Sequence, residues 1–337
     1  MFVLVGDIHS GIASDDPWYE NNLLKTWEQI IQYCIDNNIK TIVQTGDWFD
    51  VRRGVTQTTM NFSREKLIPM VSDNGINLIV LVGNHDSQFK NTLFPNSVRE
   101  VLGLYDCVTV VDTPQTINLD GHDFDMIPWL CESNNDEILS FIRKSKSEYC
   151  VGHWELSGYY FYKNMKSSGY EPDFLKKYKQ VYSGHFHTVS DGGNVHYIGT
   201  PLTLTANDED ETRGFYEFNN GYLKFIANEK IFHRKILYPM QKDVDLSEYA
   251  DCEVRLFCNS VDSGFDKFET ELTKIAHSVR TTINVSVDTN DESSDIVVKT
   301  TYDVMINYVD KMDKYDDVEK KTIKAYLSAL WNEAQNQ

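Results

Sequence analysis

"NLIVLVGNHD", residues 77–86, decides the fold. Leu78 to Val82 is an unbroken apolar run rich in β-branched residues, which reads as a strand buried on both faces. It stops at Gly83, and Asn84, His85 and Asp86 follow at once. A glycine at that point predicts a sharp backbone turn that leaves the polar residues at the strand's carboxyl end. Working outward, the same pattern recurs in "MFVLVGDIH" (1–9), "TIVQTGDWFD" (41–50), "EYCVGHWE" (148–155) and "QVYSGHFH" (180–187). Helix-like stretches lie between them: an amphipathic one from Asn22 to Asn37 and a polar one from about Thr56 to Asp73. Alternation of this kind predicts an α/β fold, a largely parallel or mixed sheet with helices outside. In such sheets ligands gather at the carboxyl ends of the strands.

The pattern changes after about residue 200. "RGFYEFNNGYLKFI" (213–226) predicts a hairpin turning at Asn219, Asn220 and Gly221. The acidic loop before it, Asn207 to Glu211, reads either as a guide that repels substrate or as plain solvated surface, and solvated surface is the expectation. "CEVRLFCNSV" (252–261), a helical "FDKFETELTKIAHSV" (265–279) and "TTINVSVDT" (281–289) read as a small βαβ module within about 240–290. "NDESSD" (290–295) has a linker's composition. Two amphipathic helices follow, the last carrying Ile323, Tyr326, Leu327, Leu330 and Trp331 at helical spacing. Such a stripe must be covered by the parent domain or by a partner's helix, and the linker favours the partner. The expected organisation is 1–235 as the main domain, 236–290 as a capping domain, 291–300 as linker and 301–337 as a helical partner-binding segment.

The 337 residues are 41% hydrophobic and 25% charged, a globular composition. No apolar run approaches the roughly 20 residues that span a bilayer. "MFVLVGDIHSG" has no basic region before its apolar start and reads as a buried strand, so a cytoplasmic location is expected. Six cysteines without a CxxC pair read as reduced core residues, not a zinc site. The net charge of −19 argues against a protein that grips nucleic acid unaided, because phosphate contacts need Lys and Arg. The candidate nucleic-acid contacts are few: Arg52, Arg53, Lys90, Lys163 and Lys166. Arg52 and Arg53 read equally as ion pairs with neighbouring carboxylates. Tyr159 to Tyr162 read as core or as base-stacking groups.

Five polar clusters stand at five strand ends: Asp7 and His9; Asp47 and Asp50; Asn84, His85 and Asp86; His153; His185 and His187. Each alone is weak, since Asp-x-His after a strand is commonly a hydrogen-bonded loop, and Asp50 and Asp86 both suit plain loop capping. Together they point to one centre. Two carboxylates (Asp7, Asp47), one amide and four imidazoles without a thiolate make a mixed oxygen–nitrogen set, suited to Mn2+, Fe2+ or Zn2+ rather than to structural zinc or calcium. Seven side chains are too many for one ion and fit two ions bridged by a carboxylate.

The order D-x-H, G-D-x-x-D, G-N-H-D, G-H, G-H-x-H resembles the calcineurin-like metallophosphoesterases. Within them it is similar to the nuclease subunits of SbcCD-type complexes and their archaeal, eukaryotic and tailed-phage relatives. "GDWFDVRRG", "GNHDSQFKN", "IPWLCE", "CVGHWELSGYYFYKNMKSSG", "SGHFHTVS" and "YIGTPLTLTANDED" carry the resemblance across residues 1–235. It implies a four-layer α/β/β/α sandwich with a small α+β cap and C-terminal helices. It implies that Asp7, His9 and His187 hold one metal, that Asn84, His153 and His185 hold a second, and that Asp47 bridges them. Mn2+ is the expected ion, with Mg2+ as the substitute. The resemblance makes His85 a catalytic residue beside the scissile phosphate, with Asp86 as its orienting partner. It further implies 3′-to-5′ exonuclease activity on duplex DNA and endonuclease activity on single strands. The implied setting is recombination, repair and replication, as a homodimer with an SMC-like ABC ATPase. The rival reading is a phosphomonoesterase on the same scaffold. The protein-phosphatase pattern G-D-x-V-D-R-G followed by G-N-H-E differs from "GDWFDVRRG" and "GNHDS" at both places.

Overall fold

The structure, a computed structural model, describes residues 1–162, 165–284, 309, 320–324 and 327–328, the side chains of 161 and 162 excepted. The chain divides into two compact units, 1–285 and 286–337.

The first unit holds strands β1 (Phe2–Val5), β2 (Thr41–Gln44), β3 (Asn77–Leu81), β4 (Val108–Val111), β5 (Gln115–Leu119), β6 (His122–Ile127), β7 (Tyr149–His153), β8 (Tyr160–Tyr162) and β9 (Met165–Lys166). It continues with β10 (Gln180–Gly184), β11 (Ser190–Gly192), β12 (Val195–Tyr197), β13 (Gly214–Asn219), β14 (Tyr222–Ala227), β15 (His233–Tyr238), β16 (Glu253–Cys258) and β17 (Ser278–Ile283). Two six-stranded mixed sheets result, ordered β14-β13-β1-β2-β3-β4 and β11-β12-β10-β7-β6-β5. β1 to β4 run parallel, as do β6, β7, β10 and β12.

The period of two along each strand explains the layering. Phe2 and Leu4 of β1, Val43 of β2 and Ile79 and Leu81 of β3 pack with Phe124, Met126, Tyr149, Val151 and Tyr182 of the second sheet. The alternate residues Val3, Val5, Ile42, Leu78 and Val80 face the helices of the first sheet, packing with Trp27, Ile30 and Leu67. Cys150 and Val181 turn the other way, toward Ile138 and Ile142 of the helix Asn135–Lys144. Helix, sheet, sheet and helix form the four-layer α/β sandwich.

The first long helix spans Pro17–Asp36, starting five residues before the amphipathic stretch read from sequence. Its start follows from capping: Asp16 accepts the Trp18 N–H at 2.8 Å, and Pro17 takes the first helical position. The hairpin of β13 and β14 turns through Asn220 and Gly221, both at positive φ, with Asn219 paired to Tyr222. β15, β16 and β17 form a separate three-stranded parallel sheet, with the helix Phe265–Ile275 as the crossover between β16 and β17. β15 runs across residues 235 and 236.

The acidic loop is only partly solvated surface, with Asn207 and Asp210 exposed. Asp208 is buried, accepts the N–H groups of Leu204 and Thr205, and pairs with the buried Arg213 at 2.9 Å. Glu209 reaches Arg255 of β16, and Asp210 reaches Arg234 of β15. The carboxylates fasten the three-stranded sheet to the loop because that sheet presents the arginines. All six cysteines are free, and five are buried. Among the described residues no helix is long and apolar enough to cross a membrane. Of the five stripe positions on the last helix, Ile323 and Leu327 are helical and half-buried, whereas Tyr326, Leu330 and Trp331 lie outside the described residues.

Candidate metal centre

The carboxyl ends of β1, β2, β3, β7 and β10 meet along one edge of the sandwich, and all seven predicted ligands stand there. Asp7, His9, Asp47, Asn84 and His153 are buried, and His185 and His187 are half-buried. Asp7, His9 and His187 each offer a donor atom within 4.8 Å of the others, and so do Asp47, His153 and His185. Asn84 Oδ1 lies 3.0 Å from His153 Nε2, which also lies 3.2 Å from Asp47 Oδ2. His9 Nε2 and His187 Nε2 are 3.0 Å apart.

The local backbone is bent where the side chains must converge. His9, Asp47 and His185 have positive φ angles of 44°, 53° and 84°. Such conformations cost about 1–3 kcal/mol each and persist only where the surroundings enforce them. Sequence reading assigns the turn to the preceding glycines, but of those five only Gly46 has positive φ. The others supply space. A Cβ on Gly83 would sit 2.2 Å from Asp47 Oδ1, and one on Gly184 would sit 2.5 Å from Asp7 Oδ1.

The imidazoles are oriented from behind. His153 Nδ1–H donates to the Thr45 carbonyl at 2.8 Å, and His9 Nδ1–H donates to the Asp50 carboxylate at 3.0 Å. Both rings therefore turn Nε2 into the cluster, the arrangement common to metal-ligating histidines. Asp7 accepts the His185 N–H through Oδ2, while its buried Oδ1 has no partner.

Electrostatics tie the group together. Burial pushes the Asp7 carboxyl up to about 7, and the Asp47 charge adds to it. Burial works the same way on Asp47, but His153, His9 and His85 outweigh it and hold Asp47 well below the usual carboxylate range. Burial would lower His153 and His9. Asp47 and Asp7 instead lift His153 to about 9, and the Asp50 hydrogen bond with the same carboxylates lifts His9 to about 8. Burial and the neighbouring imidazoles keep His185 well below its ordinary value and bring His187 down to about 3. At neutral pH the buried cluster thus holds protons between its donor atoms. An orphaned carboxylate oxygen, two ring nitrogens at 3.0 Å and protons that a cation would displace fit bound divalent metal.

His85 lies beside this group. Its N–H donates to Asp47 Oδ1 at 2.7 Å, and its ring stands 4.9 Å from that of His9. Its Nδ1–H donates to the carbonyl of Asp50 at 2.5 Å. Asp86, expected to orient His85, does something else. Its buried carboxylate accepts the N–H groups of Gly83 at 2.8 Å and Phe49 at 3.0 Å, which locks the 47–50 turn to the 83–86 turn. Burial pushes Asp86 up to about 7, helped by Asp47. Two contributors, Thr45 and Trp129, escape a reading of the sequence, and Asp50 is legible there only as a cluster residue or loop cap. The main-chain carbonyls of Thr45 and Asp50 take imidazole N–H groups, which residue type does not reveal. Trp129, from "IPWLCE", stands 5.0 Å from the His185 ring and 5.9 Å from that of His153. No glycine–polar signature marks its strand end.

The candidate DNA contacts differ in placement. Arg52 is half-buried, and Arg53 and Lys90 are exposed; among the described residues none of the three makes an ion pair. Lys166 is exposed, and Lys163 lies outside the described residues. Tyr159 is buried with its hydroxyl on the Gly192 carbonyl, whereas Tyr160 is exposed.

Facing mixed sheets with carboxylates and imidazoles gathered at their strand ends define a phosphoesterase of the metal-using class. Residues 1–189 match the calcineurin-like phosphoesterase family, and the chain belongs to it. Over 334 residues, 98% of each chain, it is 43% identical to Exonuclease subunit 1 of Enterobacteria phage T4. It is 26% identical over 226 residues to the DNA double-strand break repair protein Mre11 of Sulfurisphaera tokodaii, covering 64% of this chain and 57% of that one. The protein of the same name from Sulfolobus acidocaldarius is 22% identical over 199 residues, 57% of this chain and 51% of the relative.

Proposed function

We propose that this chain is the nuclease subunit of a phage DNA-processing complex. It hydrolyses phosphodiesters at DNA ends as a 3′-to-5′ exonuclease on duplexes, and it cuts single strands as an endonuclease. Its work belongs to recombination, repair and replication in the host cytoplasm. The observation that carries this reading is the 43% identity, along 98% of both chains, with a protein named an exonuclease subunit. The DNA double-strand break repair proteins matched at lower identity support the same substrate.

Asp7, His9 and His187 would hold one ion and Asn84, His153 and His185 another, with Asp47 between them. The mixed oxygen–nitrogen donor set suits Mn2+, Fe2+ or Zn2+; the resemblance to SbcCD-type nucleases supports Mn2+ among them, with Mg2+ as the substitute. Bound there, two divalent ions polarise the phosphodiester and lower the pKa of an attacking water. The protein's own part lies with His85. The Asp50 carbonyl takes its Nδ1–H, which leaves Nε2 as the nitrogen for the leaving oxygen; it would give a proton there from the doubly protonated imidazolium, which keeps its Nδ1–H as the neutral ring. Asp47 takes the His85 main-chain N–H and holds that residue's backbone against the centre. Asp86 holds the two turns in register and touches no reacting atom.

With 51 acidic residues against 32 Lys and Arg, the chain supplies little grip on a long duplex. We assign that grip to an SMC-like ABC ATPase partner and to homodimer formation. Residues 301–337 serve as the partner-binding segment, 236–290 as the cap and 291–300 as the linker.

The test is cleavage of end-labelled duplex and single-stranded DNA with Mn2+, with Mg2+ and with chelator, for wild type and His85→Ala. Wild-type cleavage is expected to require metal. His85→Ala is expected to bind Mn2+ normally by calorimetry and to cut roughly 10²–10⁴-fold more slowly. Cleavage that survives chelation, or that is untouched by the substitution, overturns the reading.

A further inference from the structure

Gln44 is the last residue of β2 and is fully buried, an amide among the apolar residues of the first sheet. It pairs with Val5 of β1, which sets it level with the start of two turns: Gly6 and Asp7 on the neighbouring strand, Gly46 and Asp47 on its own. Main-chain groups that leave a ladder inside the core still need partners. Among the described residues no main-chain N–H reaches the carbonyl of Gly6 or of Gly46, and the Gly46 N–H reaches no main-chain carbonyl. The Gln44 carboxamide meets all three groups. Its Nε2 donates to the Gly6 carbonyl at 3.2 Å and to the Gly46 carbonyl at 2.6 Å, and its Oε1 accepts the Gly46 N–H at 3.2 Å. A carboxamide carries two donors and an acceptor in one plane, which neither a carboxylate nor a hydrocarbon of that length supplies.

The ties on either side of this link are made by main chain alone. The Thr45 N–H donates to the Val5 carbonyl at 3.0 Å, and the N–H groups of Ile8 and His9 donate to the Asp47 carbonyl at 3.2 and 3.1 Å. Between them the two glycines are joined through the Gln44 side chain. Asp7 follows Gly6 directly, and Asp47 follows Gly46 directly, so a shift of either glycine carries a carboxylate of the centre with it. Asp7 and Asp47 are the only carboxylates among the seven predicted ligands.

We propose that Gln44 is a positioning residue, whose carboxamide fixes the Gly6 and Gly46 turns to each other and so sets the separation of the Asp7 and Asp47 carboxylates. It touches no reacting atom and no metal. Its consequence rests on the two-metal reading: with Asp7 on one ion and Asp47 between the two, that separation decides whether both sites fill as a pair. Its hold on the two turns is a property of the metal-free protein and is measured there separately.

The variant is Gln44→Met, close in length and without the amide; Gln44→Glu, which removes both donors, takes its place should the first not fold. The control is Asn194→Leu. Asn194 Nδ2 also donates to two carbonyls, those of Leu175 and Tyr178 at 2.9 and 2.7 Å, but beside the start of β10, the end away from His185 and His187. Hydrogen exchange of the metal-free full chain is followed by mass spectrometry, and Mn2+ binding by calorimetry and electron paramagnetic resonance. In Gln44→Met, segments 6–10 and 45–49 are expected to exchange at least about tenfold faster than in wild type. Mn2+ affinity is expected to fall at least about tenfold, and the spectrum to change from a spin-coupled pair to isolated ions. Asn194→Leu is expected to lower the melting temperature and to keep the coupled spectrum. A Gln44→Met protein with wild-type exchange and a coupled pair overturns the proposal. So does an Asn194→Leu protein that loses the pair as completely, since any destabilisation would then suffice. If neither Gln44 variant folds, the wild-type Gly46 N–H decides: slow exchange supports the proposal, and exchange at the rate of an open loop overturns it. A wild-type chain that never shows a coupled Mn2+ pair sinks the two-metal reading, while the exchange of the two turns still decides the part of Gln44.

Discussion

Asp50 and His85 are joined through the main chain. The Asp50 carbonyl accepts His85 Nδ1–H at 2.5 Å, while the Asp50 carboxylate accepts His9 Nδ1–H at 3.0 Å. One residue thus orients the proposed acid with its backbone and a proposed metal ligand with its side chain. The two duties separate by substitution. Asp50→Ala keeps the carbonyl, so the hold on His85 remains, but His9 loses the partner that turns Nε2 inward. Removing an outer partner of a ligating histidine weakens metal affinity about 10–100-fold. Mn2+ titration calorimetry should show that loss, and cleavage at saturating Mn2+ should recover to within a few-fold of wild type. A rate still depressed a hundredfold at saturation would mean that the carboxylate also serves the chemistry.

Gly83 makes room for Asp47. A Cβ there would lie 2.2 Å from Asp47 Oδ1 and 2.4 Å from the Asp47 backbone nitrogen. Backbone cannot swing aside, so Gly83→Ala forces the 47–50 turn away from the centre. The expected destabilisation is about 1–3 kcal/mol in urea unfolding. The sharper sign is the loss of any Mn2+-induced rise in melting temperature. Gly54, whose Cβ would meet nothing within 4 Å, is the control. Gly54→Ala should stay within about 0.5 kcal/mol of wild type.

The acidic loop holds two kinds of ion pair that should differ in strength. Asp208 and Arg213 are both buried and 2.9 Å apart, with Glu211 on the same guanidinium. Truncating Asp208 leaves that guanidinium with one carboxylate and strips the N–H groups of Leu204 and Thr205 of their acceptor. Asp208→Ala should cost about 3 kcal/mol, the lower end for breaking a buried pair. Arg255, the partner of Glu209, is 38% exposed, so Glu209→Gln should cost less than about 1 kcal/mol. Equal urea midpoints for the two variants would contradict the difference in burial.

What the sequence discloses and what it hides divide along a physical line. Strand-end motifs report side-chain chemistry directly, so Asp7, His9, Asp47, Asn84, His153, His185 and His187 are legible from residue type and spacing, and the alternation of strands and helices points to layered sheets. Contacts made by main-chain atoms carry no residue signature, and that conceals the carbonyls of Thr45 and Asp50. Asp86 misleads for the same reason: a carboxylate beside a histidine in sequence is a good orienting candidate, but its neighbours in space are the backbone N–H groups of Gly83 and Phe49. The loop Asn207–Glu211 looks solvated because its partners Arg213, Arg234 and Arg255 come from separate strands or loops. The helix from Pro17 looks shorter than it is because its first turn, "PWYEN", is too mixed to show a stripe until Leu23 continues it.

His233 gives the pH prediction, away from the proposed metal ligands. It is buried at the start of β15, with Nδ1 3.0 Å from the Thr203 hydroxyl and Nε2 3.2 Å from that of Tyr19. Glu253 stands 3.5 Å away, and the charges of Asp208 and Glu209 also reach it. Burial wins over those acids and holds its pKa down to about 4, against an ordinary 6.5. The unfolded chain therefore takes up the proton first as pH falls. The stability contributed by neutral His233 is complete above about 6.5 and is lost progressively down to about 4. The gap corresponds to roughly 3 kcal/mol at its full extent. Urea midpoints measured between pH 7.5 and 4.5 should fall more steeply for wild type than for His233→Gln, which has nothing to titrate there. The two stability curves should converge as the solution is acidified, whatever the carboxylates common to both proteins contribute. Curves that run parallel across that range would show that His233 accepts its proton in the folded protein, and that the three-stranded sheet is not anchored by a neutral imidazole.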